Sequence, residues 1–178
     1  MSSRESRQRA TGKGSLVVVF AGGGSGGHIS PGLAIAERLA ILDPNSRRIF
    51  LCSQRTIDST MLTHAGAEYV ALPATPPSAS PVKALSFWRN FRESKSLAYE
   101  LMLTANVSHV VALGGFVAAP VVAAAYSLDL PVTLVNLDAR PGKANRWIAK
   151  RSTQVLSAVA TPDFPNFSHS VIGMPVRR

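Results

Sequence analysis

The chain of 178 residues carries 19 Lys and Arg against 10 Asp and Glu, a formal net charge of +9, at a length that suits one α/β domain with a sizeable core. Its single cysteine excludes an internal disulfide, and no apolar run reaches the roughly 18 residues that span a bilayer. The cationic excess favours an anionic partner; no stacking-aromatic or helix-turn-helix pattern accompanies it, so nucleic acid is a poor match.

Residues 1–14 are basic and polar, without the apolar segment of a secretory signal, and are expected to form a disordered tail. The β-branched run Leu16-Val17-Val18-Val19-Phe20 then opens a series of strands expected near 15–20, 48–52, 68–72, 109–113, 132–136 and 154–158. Helices are expected near 31–41, 56–64, 82–105, 117–127 and 142–150. This alternation predicts βαβ units, hence a Rossmann-like α/β domain whose parallel sheet is covered by helices on both faces. The Pro-rich piece 73–81 reads as a mobile loop inside that domain. Cys52, at the end of the second strand, reads as a packed small residue rather than a nucleophile.

Between the first strand and the first helix lies Gly22-Gly23-Gly24-Ser25-Gly26-Gly27-His28. A turn of this kind brings bare backbone N–H groups against a phosphate and leaves no Cβ in a ligand's way. Gly22, Gly24 and Gly27 satisfy G-x-G-x-x-G, yet a dinucleotide site also needs an acid at the end of the second strand, which here runs into Ser53-Gln54-Arg55. A P-loop needs Lys and then Ser or Thr after the last glycine, and His28-Ile29 stands there instead. Both common nucleotide motifs fail at their discriminating position. A second glycine turn, Gly114-Gly115, also falls at a strand's carboxyl end, so the two turns are expected to line one crevice.

The stretch from Gly23 through His28-Ile29-Ser30-Pro31-Gly32-Leu33-Ala34-Ile35-Ala36 resembles the first glycine loop and following helix of the MurG family. That family transfers N-acetylglucosamine to an undecaprenyl-linked muramyl peptide in cell-wall peptidoglycan synthesis. Leu113–Pro120, Pro141–Arg146 and Gly173–Arg177 match its later motifs in order, so the resemblance covers about residues 15–177. It implies that residues 15–178 form a glycosyltransferase family 28 N-terminal, acceptor-side domain, one half of a GT-B hexosyltransferase whose C-terminal donor domain is absent. The implied partners are a lipid-linked sugar pyrophosphate acceptor, an anionic membrane surface, and a UDP-sugar donor held only with a C-terminal domain or partner subunit. No cofactor and no metal are implied, and the implied location is cytoplasmic, peripheral at the inner face of the cell membrane. The membrane-associated subunit of the split eukaryotic transferase that makes the second sugar of the dolichol-linked oligosaccharide is similar to this half.

Carried onto this chain, the resemblance makes His28 either the general base or a residue that positions a diphosphate. A base would take the proton of the attacking acceptor hydroxyl, and a helix N-terminus favours neutral imidazole. The implied substrate-binding positions are Gly23, Gly24, Ser25, Gly26, Gly27, Gly114, Gly115, Phe116, Asn136, Asp138 and Asn145. Two stretches depart from the family: Val135-Asn136-Leu137-Asp138 replaces its usual His-Glu-Gln-Asn, and Phe116 replaces a tyrosine. Asp138 either faces His28 or caps the following helix. His64, His109 and His169 stand in no motif, and no metal-ligand spacing is present.

In the segment 82–106, Leu85, Phe87, Trp88, Phe91 and Leu97 alternate with Lys83, Arg89, Arg92 and Lys95. Phe87, Trp88, Arg89 and Arg92 are the membrane candidates, aromatic groups suiting the headgroup region and basic stems reaching its phosphates. The alternative is a helix that packs one apolar stripe on the sheet. Trp147, between Arg146 and Lys150, is a second anchor candidate with the same alternative. Two functions follow: the acceptor-side half of a transferase, or a degenerate non-catalytic module that holds a polyprenyl pyrophosphate or a partner protein.

Overall fold

A computed structural model describes residues 15–24, 26–78, 80–167 and 170–177. The expected tail 1–14, Ser25 and His169 lie outside them. Strands β1 (Val17–Ala21), β2 (Arg47–Ser53), β3 (Glu68–Leu72), β4 (His109–Ala112), β5 (Val132–Asn136) and β6 (Gln154–Ser157) form one parallel sheet of order β3-β2-β1-β4-β5-β6. Between them run α1 (Ile29–Leu42), α2 (Thr56–His64), α3 (Pro81–Thr104), α4 (Gly115–Ser127) and α5 (Lys143–Ala149). The chain adds strands outward in one direction, then returns to the centre and adds them in the other. The order therefore reverses between β1 and β4, and the loops leaving those two strands must diverge and open a crevice.

Period-two alternation divides the strand side chains between two cores. Val17, Val19 and Ala21 of β1 join Ala98 and Met102 of α3, Ile148 of α5 and the apolar surface of α4. Val18 and Phe20 face the other way, with Ile29, Leu33 and Ala36 of α1 and Leu62 of α2. Phe20 and Phe50 stack there with ring centroids 5.0 Å apart. Helix α4 buries Val117, Ala118, Val121, Val122, Ala124 and Ala125 completely, as expected of a helix that is apolar all round.

The expected elements are all present, with shifts at their ends. Helix α1 starts at Ile29 rather than 31, so Pro31 sits in the first turn, where its missing N–H is no loss. Helix α4 starts at Gly115 rather than 117, which draws the second glycine turn into the helix N-terminus. Beyond β6 the chain makes a 3₁₀ turn, Pro165–Phe167, that buries Phe167, and Val171 then bridges back to Ser157. Neither feature has a periodic signal in the sequence.

Cys52 is fully buried on β2, and burial, reinforced by the nearby Asp58 carboxylate, pushes its thiol up to about 12. The folded chain should therefore react with a thiol reagent at pH 8 roughly a thousandfold more slowly than the urea-denatured chain, because almost no thiolate is present. Absorbance of the released reagent measures both rates. Equal rates would mean that β2 opens readily.

Candidate functional site

Two glycine turns meet at the reversal of strand order, and a carboxylate fixes the first. Gly22 N–H donates to Leu51 O at 3.2 Å, continuing the β1–β2 pairing past the end of β1. Gly24 N–H donates to Asp58 Oδ2 at 2.7 Å, and the same oxygen accepts from the Ser53 amide at 3.1 Å and the Ser53 hydroxyl at 2.5 Å. Asp58 is fully buried in the first turn of α2. Gly24 has φ +102, and a Cβ there would lie 2.7 Å from Cε1 of Phe116. The Phe116 ring, rather than an approaching ligand, is what demands a glycine at this position. Arg55 completes the arrangement: its Nη1 donates to Gly24 O, and its guanidinium lies 5.6 Å from the centroid of the Phe116 ring.

The second turn is tied to the first. Leu113 N–H donates to Ala21 O at 2.8 Å, and a Cβ on Gly115 would lie 3.1 Å from Gly23 O and 3.3 Å from Cδ2 of His28. Gly114, at φ +97, gives way to Asn145, whose Oδ1 would stand 2.7 Å from a Cβ at 114. Asn145 Nδ2 donates to Asn136 Oδ1 at 3.0 Å, and Asn136 Nδ2 donates to Asp138 O at 2.7 Å. Asn136 is fully buried with both ends of its amide engaged, so it holds the turn after β5 in place from below. Asn145 Oδ1 is buried and without a partner among the described residues.

His28 is the N-cap of α1 in helical backbone geometry (φ −90, ψ −24), and its side chain makes no capping hydrogen bond. Its Nδ1 is buried and unpartnered among the described residues. The ring opens into a cavity of about 680 Å³ that His28, Asp138 and Asn145 line with polar groups and Phe116 with its ring. Phe87, Trp88 and Phe91 of α3 form the facing wall, as an aromatic cluster with centroids 5.3 to 6.1 Å apart, and Trp147 adjoins it. Trp88 is still 56 % exposed and Leu85 77 %. Arg89 and Arg92 are exposed on the same helix. Arg151 covers the Trp147 ring at 3.8 Å.

The structure thus gathers Gly23, Gly24, His28, Gly115, Phe116, Asp138 and Asn145 into one crevice. Gly26 shapes it through its carbonyl, which accepts from Ile29 and Ser30 N–H and starts α1, while Gly27 is exposed beside it. Gly142, not Asp138, caps α5. Among the other histidines, His109 pairs with Thr133 Oγ1 at 2.9 Å, and burial holds its imidazole below the usual range. The described residues contain no cluster of three His, Cys, Asp or Glu side chains that could hold a metal, and no helix long and apolar enough to cross a membrane. Sequence reasoning missed Asp58 and Arg55. The acid sought at the end of the second strand stands in the next helical turn, and it is consumed by the glycine loop rather than offered to a ribose.

Comparison with known proteins bears on the family and the fold. The family described as glycosyltransferase family 28 N-terminal domain matches residues 18–157. The UDP-N-acetylglucosamine--N-acetylmuramyl-(pentapeptide) pyrophosphoryl-undecaprenol N-acetylglucosamine transferase of Streptomyces avermitilis is 34 % identical over 162 residues, 90 % of this chain and 44 % of that one. The protein of the same name in Mycobacterium tuberculosis is 34 % identical over 176 residues, 92 % of this chain and 42 % of that one. The chain therefore spans less than half the length of the curated relatives it matches. Acinetobacter baumannii MurG superposes with a TM-score of 0.74 at 23 % identity, over 90 % of this chain and 45 % of that structure. The UDP-GlcNAc 2-epimerase of Neisseria meningitidis superposes at 0.63 with 16 % identity, over 89 % of this chain and 45 % of that structure.

Asp58→Ala leaves the Gly24 amide and both Ser53 donors without their acceptor in a buried place, where each such loss costs about 1–3 kcal/mol. Urea unfolding should show a loss of about 3 kcal/mol, with Asp58→Asn losing less because one oxygen remains. A loss under about 1 kcal/mol for Asp58→Ala would show that the loop holds itself.

Proposed function

Because the chain belongs to the glycosyltransferase family 28 N-terminal domain family, we propose that residues 15–178 are the acceptor-side half of a hexosyltransferase. It moves N-acetylglucosamine from a UDP donor to a lipid pyrophosphate-linked intermediate of peptidoglycan synthesis, as a peripheral protein on the cytoplasmic face of the membrane. The observation that carries this reading is the cavity lined by His28, by Gly115 of the second glycine turn and by the aromatic side chains Phe87, Trp88 and Phe91. Lys95 and Lys143 on its lining suit an anionic group and the aromatic side chains suit an apolar one, the two parts that a prenyl pyrophosphate carries side by side. In this reading the uridine and diphosphate of the donor are held by the part of the relatives that lies beyond the matched 44 %.

The chemistry follows from His28. With Nδ1 buried, Nε2 is the nitrogen able to meet an acceptor hydroxyl. As that oxygen bonds to the anomeric carbon of the donor sugar, its proton passes to Nε2. The bond from the anomeric carbon to the phosphate oxygen breaks with its electron pair leaving on UDP, and the configuration inverts. Asp138, on the same wall, is positioned to orient the acceptor sugar. Asn136 serves through Asn145 and the turn after β5 rather than by touching substrate. A non-catalytic binding module is the second reading, favoured by one observation: where the family usually carries His-Glu-Gln-Asn, Val135 and Asn136 are buried and Leu137 is half-buried.

A transfer assay with labelled UDP-N-acetylglucosamine and a lipid-linked muramyl peptide tests the proposal. Joined to the donor-side portion of a curated relative, the chain should support transfer. His28→Ala should then lower kcat by roughly a hundredfold or more with little change in donor KM. No transfer by a folded fusion that still binds the lipid pyrophosphate would favour the binding module.

The aromatic wall generates a separate expectation. Phe87→Ser with Trp88→Ser should weaken sedimentation with anionic vesicles even at low salt, since apolar insertion is lost. Arg89→Gln with Arg92→Gln should weaken it mainly where salt is low. Binding to neutral and anionic vesicles that ignores both pairs of changes would remove the membrane assignment.

A further inference from the structure

We infer that Arg55 is a diphosphate-binding residue of the crevice, held ready by the glycine turn and by the ring of Phe116. The inference rests on the acceptor reading above and deepens it.

A glycine loop binds phosphate through outward-pointing amides, but here several amides are already spent. Gly22 N–H goes to Leu51 O and Gly24 N–H to Asp58, while Ile29 and Ser30 N–H close the first turn of α1 on Gly26 O. What the turn presents at position 24 is a carbonyl, and a bare carbonyl would repel an anion. Arg55 covers that carbonyl through Nη1. Its guanidinium keeps further N–H donors in a planar fork that matches phosphate oxygens.

The charge is available. The ion pairs among the described residues are Arg47 with Glu68 and Arg177 with Glu37, and Arg55 is in neither. Asp58, close in sequence, turns its Oδ2 inward to Gly24 and Ser53, and its Oδ1 is buried without a partner among the described residues, so neither oxygen pairs with Arg55. The guanidinium is also restrained: Phe116 lies 5.6 Å away and in turn packs on Gly24. A pre-placed cation loses less freedom when the ligand arrives than a loose one does. Arg55 stands beside the cavity of His28, joined to it through the Phe116 ring that lines that cavity, and Lys95 and Lys143 add charge from the cavity wall.

A diphosphate could come from the lipid acceptor or from the UDP donor, and calorimetric titration of the chain separates the sources. The probes are farnesyl pyrophosphate, farnesol and UDP, applied to the unaltered protein, Arg55→Gln and Arg55→Lys. Arg55→Gln should bind farnesyl pyrophosphate roughly tenfold more weakly or worse, with farnesol affinity unchanged, and Arg55→Lys should recover part of the loss. A loss confined to UDP would support the same contact with the donor's diphosphate as its ligand. Unchanged affinity of folded Arg55→Gln for both diphosphates would overturn the inference and leave the acceptor reading standing. Failure of the unaltered chain to bind either diphosphate would overturn both. If Arg55→Gln does not fold, Arg55→Lys carries the test through its separate effects on farnesyl pyrophosphate and farnesol: equal losses on the two would overturn the inference.

Discussion

Asp58 Oδ2 accepts from Gly24 and twice from Ser53, and so joins the end of one central strand to the end of its neighbour. Burying a carboxylate is costly without such partners, and the bonds to Oδ2 couple the path of the first glycine turn to the burial of Asp58. With Gly24 held there, the Phe116 ring has a flat backbone surface to lie on, and Arg55 has both a carbonyl and a ring to settle against. The second turn is placed by the same contacts, because Gly115 packs on Gly23 and His28. One carboxylate thus organises two loops that are about ninety residues apart in the chain.

Phe116, where the resemblance leads one to expect a tyrosine, takes on a different meaning in this setting. A phenylalanine offers no hydroxyl, but its ring packs on Gly24 and beneath the Arg55 cation. Similarly, the replaced polar cluster after β5 leaves Asn136 as a buried strut whose amide links α5 to the turn that carries Asp138. The framework of the crevice thus rests on the Phe116 ring and on the buried amide of Asn136. Its aromatic wall on α3, formed by Phe87, Trp88 and Phe91, is shared between the cavity and the exposed surface. The same residues line the cavity of His28 and remain partly exposed, so packing and surface roles coexist in one cluster.

The sheet was legible because parallel strands buried on both faces read as short continuous apolar runs, and each is followed by a helical pattern. The crevice was legible too, since both glycine turns leave adjacent central strands. Arg55 and Asp58 were not, because their meaning lies in contacts with Gly24, some thirty residues earlier. The burial of Asn136 was hidden for a related reason: a polar residue at a strand end looks the same whether it faces solvent or pairs with Asn145. The return of the chain along β6 rests on the isolated Ser157–Val171 bridge and on Ser157 Oγ donating to Phe167 O at 2.6 Å, neither of which has a repeating pattern.

The position of the crevice also bears on how the protein can vary. Both turns grow from β1 and β4, the two innermost strands, whereas β3 and β6 lie at the edges of the sheet with partly exposed side chains. Inner strands open only when the whole domain opens, while edges fray independently. The glycine turns therefore belong to the last part of the molecule to yield. Drift can accumulate at the periphery without reaching them, but a change that loosens the crevice must be tolerated by the entire cooperative unit.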